Sequence, residues 1–306
     1  LTWNYRSGRG IVNASLQLIA PATQVEDRVL QALAEDDTKV TIHESATDKA
    51  EAEFVVHTIE QLVGGSTFFS MDSGRVESGE VESYVFADFA VLYRTDGQSA
   101  ALVEALARSG MPFQKRSHIP LAELPFAKDI AAAMGEAEGH STPADRLDAV
   151  LGGLPPEARL TAQAWRPLAA RCRCLEEFLS ELAMASDADL WDPRAAAVSL
   201  LTLHASKGLE FPVVFIAGCE DGILPLRWGS SDDGEGDEER RLFFVGMTRA
   251  RKRLLLSHAG KRFWMGKLRE MTPSPFLKDI QERLLDRRRA ETPRKPRPTH
   301  DQLDLF

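Results

Sequence analysis

Two short runs of apolar residues, Phe89-Ala-Val-Leu-Tyr93 and Val213-Val-Phe-Ile-Ala217, restrict what this chain can fold into. A strand with one wet face alternates apolar and polar residues. A strand covered on both faces reads as an unbroken apolar run. The first run is followed by a short polar turn and then by an amphipathic pattern over Gln98–Ser109, closed by Gly110. Strand, turn and helix in that order predict an α/β unit with a parallel sheet.

The rest of the chain extends this pattern. Residues 10–20 read as a helix and Val40–His43 as a short strand. Asp48–Val63 carries Ala52, Val55, Val56, Ile59, Leu62 and Val63 at helical spacing, with Thr47 or Asp48 as N-cap and Gly64-Gly65 as the stop. Residues 70–83, rich in Ser, Gly and Glu, read as a loop. Ala197–Leu203 reads as a further strand, Asp237–Ala250 as a helix and Arg253–Ser257 as a strand. Residues 118–193 differ: they are rich in Ala, Leu, Glu and Arg and predict several helices with no strand. The charged, proline-containing residues 281–306 read as a disordered tail.

Bulk properties narrow the function classes. The 306 residues suffice for one large or two smaller domains. No apolar run approaches the roughly 20 residues of a membrane helix. The start, LTWNYRSGRG, lacks a signal-peptide core and an initiator methionine, as expected of a piece of a longer protein. Three cysteines, Cys172, Cys174 and Cys219, fit reduced thiols in a cytoplasm; Cys172-x-Cys174 has no second pair to complete a metal site. A net charge of −9 argues weakly against nucleic acid. The average hides an acidic 232–239 and a mostly basic 283–297, and a groove can be locally basic.

No G-x-x-x-x-G-K-[ST] loop is present, so the chain has no phosphate cradle of this kind. Asp237-Glu-Glu-Arg240 is not a Mg²⁺-binding strand end, because SSDDGEG rather than an apolar strand precedes it. Arg6, ahead of a helix, and Arg249, between a helix and a strand, are candidate donors to a phosphate held by another domain. Their charge is permanent and the planar fork pairs with two oxygens. No nucleophile–base pair or metal cluster marks a self-sufficient hydrolase.

Four segments taken together carry a resemblance: NYRS at 4–7, AVLYRTDGQSAALVEAL at 90–106, LTLHASKGLEFPVVFIAG at 201–218 and EERRLFFVGMTRARKRLLLS at 238–257. In order and spacing they resemble the C-terminal motor half of UvrD/Rep/PcrA-type superfamily 1 DNA helicases. The resemblance implies a RecA-like parallel sheet flanked by helices, of the P-loop NTPase type. The second motor domain (2A) would occupy residues 1–116 and 195–280. A helical insertion, reduced relative to the family's 2B domain, would occupy 117–194, and the tail 281–306.

The resemblance also implies roles. Tyr5 would stack on adenine, Glu210 would bind the ribose, and Arg6 and Arg249 would contact the γ-phosphate as catalytic arginines. Lys207 and Gly208 follow in the same turn and are grouped with the nucleotide site. Thr202, His204, Arg94 and Thr95 would face single-stranded DNA; Asp96 departs from the family's usual Asn, and a carboxylate there would repel a phosphate. Gln302, Leu303, Leu305 and Phe306 resemble a peptide that docks into a bacterial sliding clamp. The implied activity is that of a 3′-to-5′ ATP-dependent DNA translocase or helicase in DNA repair or replication, cytoplasmic and nucleoid-associated. ATP and Mg²⁺ would be held mainly by an N-terminal RecA-like domain of the same longer protein, leaving this chain inactive alone. The alternative is a non-catalytic module that docks to DNA or to the clamp.

Overall fold

The computed structural model describes residues 3–4, 6–23, 31–32, 36–64, 84–116, 120–137, 139, 141–185, 192, 194–227 and 235–289. Two short strands, β1 (Trp3–Asn4) and β2 (Gln31–Ala32), pair in parallel and bracket α1 (Arg9–Ile19). The main sheet starts with β3 (Val40–Thr47), which leads directly into α2 (Asp48–Gly64). The Thr47 hydroxyl accepts from the Ala50 N–H at 3.2 Å, the N-cap bond that the sequence anticipates. Then come β4 (Phe89–Tyr93), α3 (Ser99–Ser109) and β5 (Phe113–Arg116). Gly110 ends α3 in the left-handed conformation, φ 73°.

Four helices follow: α4 (Ala127–Glu136), α5 (Pro143–Leu151), α6 (Pro156–Ala169) and α7 (Leu175–Met184). The chain then returns to the sheet through β6 (Val198–Thr202), β7 (Phe211–Ile216), α8 (Glu235–Met247), β8 (Ala250–Trp264), β9 (Lys267–Glu270) and β10 (Leu285–Arg289). The order across the sheet is β10-β3-β8-β7-β4-β6-β5 with every neighbouring pair parallel, and β9 folds back antiparallel on β8. This is the α/β parallel sheet with a helical insertion that the apolar runs predict.

The runs are unbroken because alternate residues enter two different cores. In β4, Ala90 and Leu92 pack with α1 and α8, while Phe89, Val91 and Tyr93 pack with α2 and α3. In β7, Val214 and Ile216 face the first layer and Val213 and Phe215 the second. Each Val, Leu, Ile or Phe among them stabilises the fold by roughly 1.5–3 kcal/mol when fully buried. The helices α4–α7 have a third core drawn from residues 121–182 alone, centred on Trp165 and Phe178 in an edge contact at 5.9 Å.

Three sequence expectations need correction. The strand at Val40 runs on to Thr47, and the one expected over Arg253–Ser257 spans Ala250–Trp264. The expected disordered tail 281–306 is partly ordered: Leu285–Arg289 forms β10, parallel to β3. Leu285 is buried in the first core, and Arg287 pairs with Glu282 and Arg289 with Glu44. A charged strand suits a sheet edge, where its side chains stay wet. The helix expected over Asp237–Ala250 is α8, Glu235–Met247. Residues 65–83 and 290–306 lie outside the described residues.

Candidate functional site

Arg6 and Arg249 are far apart in sequence and close in the fold. The segment 6–8 is fastened to the start of β8: the Ser7 hydroxyl donates to the Ala250 carbonyl at 2.6 Å, and the Gly8 N–H donates to the Arg251 carbonyl at 3.1 Å. Arg249 sits at the turn between α8 and β8, and Glu210 directly precedes β7. Since β7 and β8 are parallel, all three stand at the amino ends of these strands.

Glu210 is the hub. One carboxylate oxygen pairs with Arg6, and the other accepts from Arg251 Nε at 3.2 Å and Nη2 at 3.0 Å. Burial pushes the Glu210 carboxyl up, but the hydrogen bond from Arg251 and the charges of Arg6 and Arg251 outweigh it, so it sits below its ordinary value. Arg249 is buried and, among the described residues, makes no ion pair with a carboxylate. Its Nε donates to the Val245 carbonyl at 2.9 Å, Nη1 to the Leu209 carbonyl at 3.1 Å and Nη2 to the Thr248 hydroxyl at 3.2 Å. Burial, with the Arg6 charge added, holds its guanidinium below the ordinary arginine value. Two guanidiniums therefore hold one carboxylate, a third lies within reach of their charges, and the cluster has an excess of positive charge suited to an anion.

The second group of predicted residues stands at the opposite, carboxyl end of the sheet. Arg94 and Thr95 follow β4; Thr202 ends β6 and His204 follows it. The Thr202 hydroxyl accepts from the Ala205 N–H at 3.1 Å and so shapes the turn. His204 is exposed; partial burial and the Arg94 charge hold its imidazole below the ordinary value, against Glu239 and Glu238. Arg94 is tied bidentately to Glu239 of α8, with Nη2–Oε1 at 2.7 Å and Nε–Oε1 at 2.9 Å. Asp96, which would repel a phosphate if bare, is paired with Lys115 Nζ at 2.7 Å. Lys207 is exposed, and Gly208 adopts φ 87°, which favours glycine.

Residues 203–210 connect the two ends. They leave the carboxyl end of β6 and reach the amino end of β7, so one short turn carries His204 near one cluster and Glu210 into the other. Gly246 of α8 packs against this turn; a Cβ there would stand 2.4 Å from Leu203 Cδ2. Tyr5 and the peptide Gln302, Leu303, Leu305 and Phe306 lie outside the described residues. Among the described residues no group of three or more His, Cys, Asp or Glu side chains could hold a metal ion. No described helix is long and apolar enough to cross a membrane.

Sequence reasoning missed four participants. Gln98 Oε1 accepts from the Arg94 and Thr95 N–H groups at 2.9 and 3.0 Å. Glu239 holds Arg94 and also accepts from the Leu226 N–H at 3.0 Å. Arg251 holds Glu210. Arg262 of β8 is buried between Glu51 and Glu220, with Nε–Glu220 Oε2 at 2.7 Å and Nη2–Glu220 Oε1 at 2.6 Å. Glu239, Arg251 and Arg262 each meet residues too distant in sequence to form a local pattern, whereas Gln98 caps residues three and four positions before it.

Comparisons with known proteins identify the family to which this sheet belongs. The family model described as UvrD-like helicase C-terminal domain matches residues 1–134 and 142–261. The chain is 27% identical to the ATP-dependent DNA helicase PcrA of Leuconostoc citreum, over 94% of this chain and 49% of that protein. It is 47% identical to the ATP-dependent DNA helicase UvrD1 of Mycobacterium leprae over 38% of this chain and 15% of that one. With PcrA of Bacillus subtilis it shares 38% identity over 41% of this chain and 19% of the relative. The chain thus spans about half the length of the Leuconostoc protein and much less of the others. The Leuconostoc alignment runs over 387 positions against a chain of 306, so the relative has segments that this chain lacks. Because the family model covers most of the sheet and both residue clusters, the chain belongs to the UvrD-like helicase C-terminal domain family.

Proposed function

We propose that this chain is the arginine-supplying half of an ATP-dependent DNA translocase or helicase motor with 3′-to-5′ polarity, acting in repair or replication. The observation that carries the reading is the convergence of Arg6 and Arg249 at the amino ends of β7 and β8, with Arg249 buried and, among the described residues, not paired with a carboxylate. A buried cation of this kind is stabilised by an anion that enters its cleft. The nucleotide phosphates and Mg²⁺ would be held by a preceding domain, and closure of the cleft would bring both arginines onto the γ-phosphate, where they stabilise charge in the transition state. Tyr5 and Glu210 would hold base and ribose. Hydroxyl, imidazole and guanidinium groups at the carboxyl end would contact the DNA backbone, which needs no base recognition. The turn 203–210 supports coupling of the two ends, since a shift at Glu210 is a shift within the segment that holds His204. Residues 117–194 would be the reduced insertion.

The test is single-stranded-DNA-stimulated ATP hydrolysis by the longer native protein. Arg249→Ala is expected to lower kcat by about 10³–10⁵, the range for an arginine finger. A variant that folds and hydrolyses ATP at the wild-type rate would sink the motor reading and leave the docking module.

A further inference from the structure

Arg251 lies outside the predicted nucleotide residues, yet it stands in the middle of their cluster. Its carbonyl accepts from the Gly8 N–H at 3.1 Å, so its backbone locates the segment that bears Arg6. Its guanidinium reaches one Glu210 oxygen through two N–H groups while Arg6 takes the other. One carboxylate is thus shared between two cations. The Arg251 side chain is 54% exposed. An ion pair so exposed stabilises a fold little, so its position beside Arg6 calls for another account.

We propose that Arg251 is a positioning residue for the phosphate reaction: it shares Glu210 with Arg6 and keeps the carboxylate when Arg6 turns to an anion in the cleft. The proposal rests on the reading of Arg6 as a phosphate donor. Two cations on one carboxylate each hold it less tightly than one would, because each partly neutralises the charge that attracts the other. Arg251 therefore lowers the cost of releasing Arg6. It also leaves Glu210 charged and oriented after Arg6 has gone, rather than free to follow it. The fastening of Ser7 and Gly8 to residues 250–251 keeps the Arg6 backbone in place, so the exchange needs only a side-chain rotation.

The experiment is steady-state ATPase kinetics on the longer native protein with saturating single-stranded DNA. Arg251→Ala is expected to lower kcat by about three- to tenfold with KM for ATP moving less than about twofold, since the lost step lies after binding. Arg251→Lys, which restores one cation, recovers part of the loss. In a Glu210→Gln background the carboxylate charge that holds Arg6 is gone, and adding Arg251→Ala then has no further effect on kcat. A structural role for Arg251 would instead lower the thermal midpoint with unchanged kcat in the folded fraction. If Arg6→Ala abolishes turnover and Arg251→Ala leaves kcat intact, the proposal is overturned while the motor reading stands; the same holds if the Arg251→Ala and Glu210→Gln effects are additive. If Arg6→Ala itself turns over normally, the motor reading fails and takes the proposal with it.

Discussion

Arg262 and Arg6 each meet a glutamate, in opposite surroundings. The Arg262 side chain is 4% exposed, Glu51 2% and Glu220 0%; those of Arg6 and Glu210 are 37% and 24% exposed. In the buried cluster the remaining lone pairs are filled as well. Glu51 accepts from the Gly218 N–H at 2.9 Å and the Ser257 hydroxyl at 2.7 Å, and Glu220 from the Ala259 N–H at 2.7 Å. Burial works against all three charges, but at Glu51 the Arg262 charge together with the hydrogen bonds from Ser257, Arg262 and Gly218 outweighs it, and the carboxyl stays below its ordinary value. The two carboxylates together raise Arg262 above its own. Such a network has one arrangement, and removal of a member strands a charge in the interior. At Glu210, water can replace either partner, so exchange is cheap. The fold places its buried ion cluster where β7, β8 and α2 meet and its exposed one at the amino ends of β7 and β8.

That contrast is broken most directly at Arg262. Arg262→Ala is expected to lower the unfolding free energy by about 3–5 kcal/mol, because two buried carboxylates lose their cation. Urea denaturation monitored by circular dichroism measures it; a loss under about 1 kcal/mol would show the buried cluster to be as replaceable as the exposed one.

A second difference is in pH response. His43, stacked on Phe54 at 3.6 Å with no hydrogen-bond partner at either ring nitrogen, and His258 are both buried beside the Glu51 cluster. Burial lowers both below the ordinary 6.5, against Glu51 and Glu44, with His258 and Arg288 also lowering His43 and Arg287 lowering His258. The unfolded chain therefore takes up these protons first as pH falls. Their contribution to stability is full above pH 6.5 and is lost as pH drops below it. Thermal midpoints between pH 7.5 and 5 test this, with His43→Phe expected to flatten part of the slope.

The smallest effect is expected at the exposed cluster. Glu210→Gln should change stability by less than about 1 kcal/mol, the range of surface ion pairs, whatever it does to ATP turnover. A larger loss in the same denaturation assay would mean that Glu210 is structural.

The α/β class was legible in the sequence because an apolar run such as Phe89–Tyr93 has only one economical environment, a strand covered on both faces. The strand ends were less legible. Leu285–Arg289 is a strand despite its charges because β3 offers a free edge and the core a place for Leu285; neither is visible locally. The site divides in the same way. Arg6 and Arg249 stand out by residue type and place near element ends, and Glu210 by its segment's resemblance to a known motor, whereas Arg251 and Gln98 in the same segments carry no local signal of their partners.

The sequence by itself determined the two-sided sheet, the existence of the helices α4–α7 and the identity of the charged residues near the strand ends. Those depend on periodicity, on turn chemistry and on residue type, which act within a few positions of the chain. Only the tertiary structure decided which charges meet. Arg94 finds Glu239, Arg262 finds Glu51 and Glu220, and Arg6 and Arg251 share Glu210 because the parallel order β8-β7-β4-β6 brings their strand ends together. Electrostatic partnership depends on distance and burial, and both are products of the completed packing.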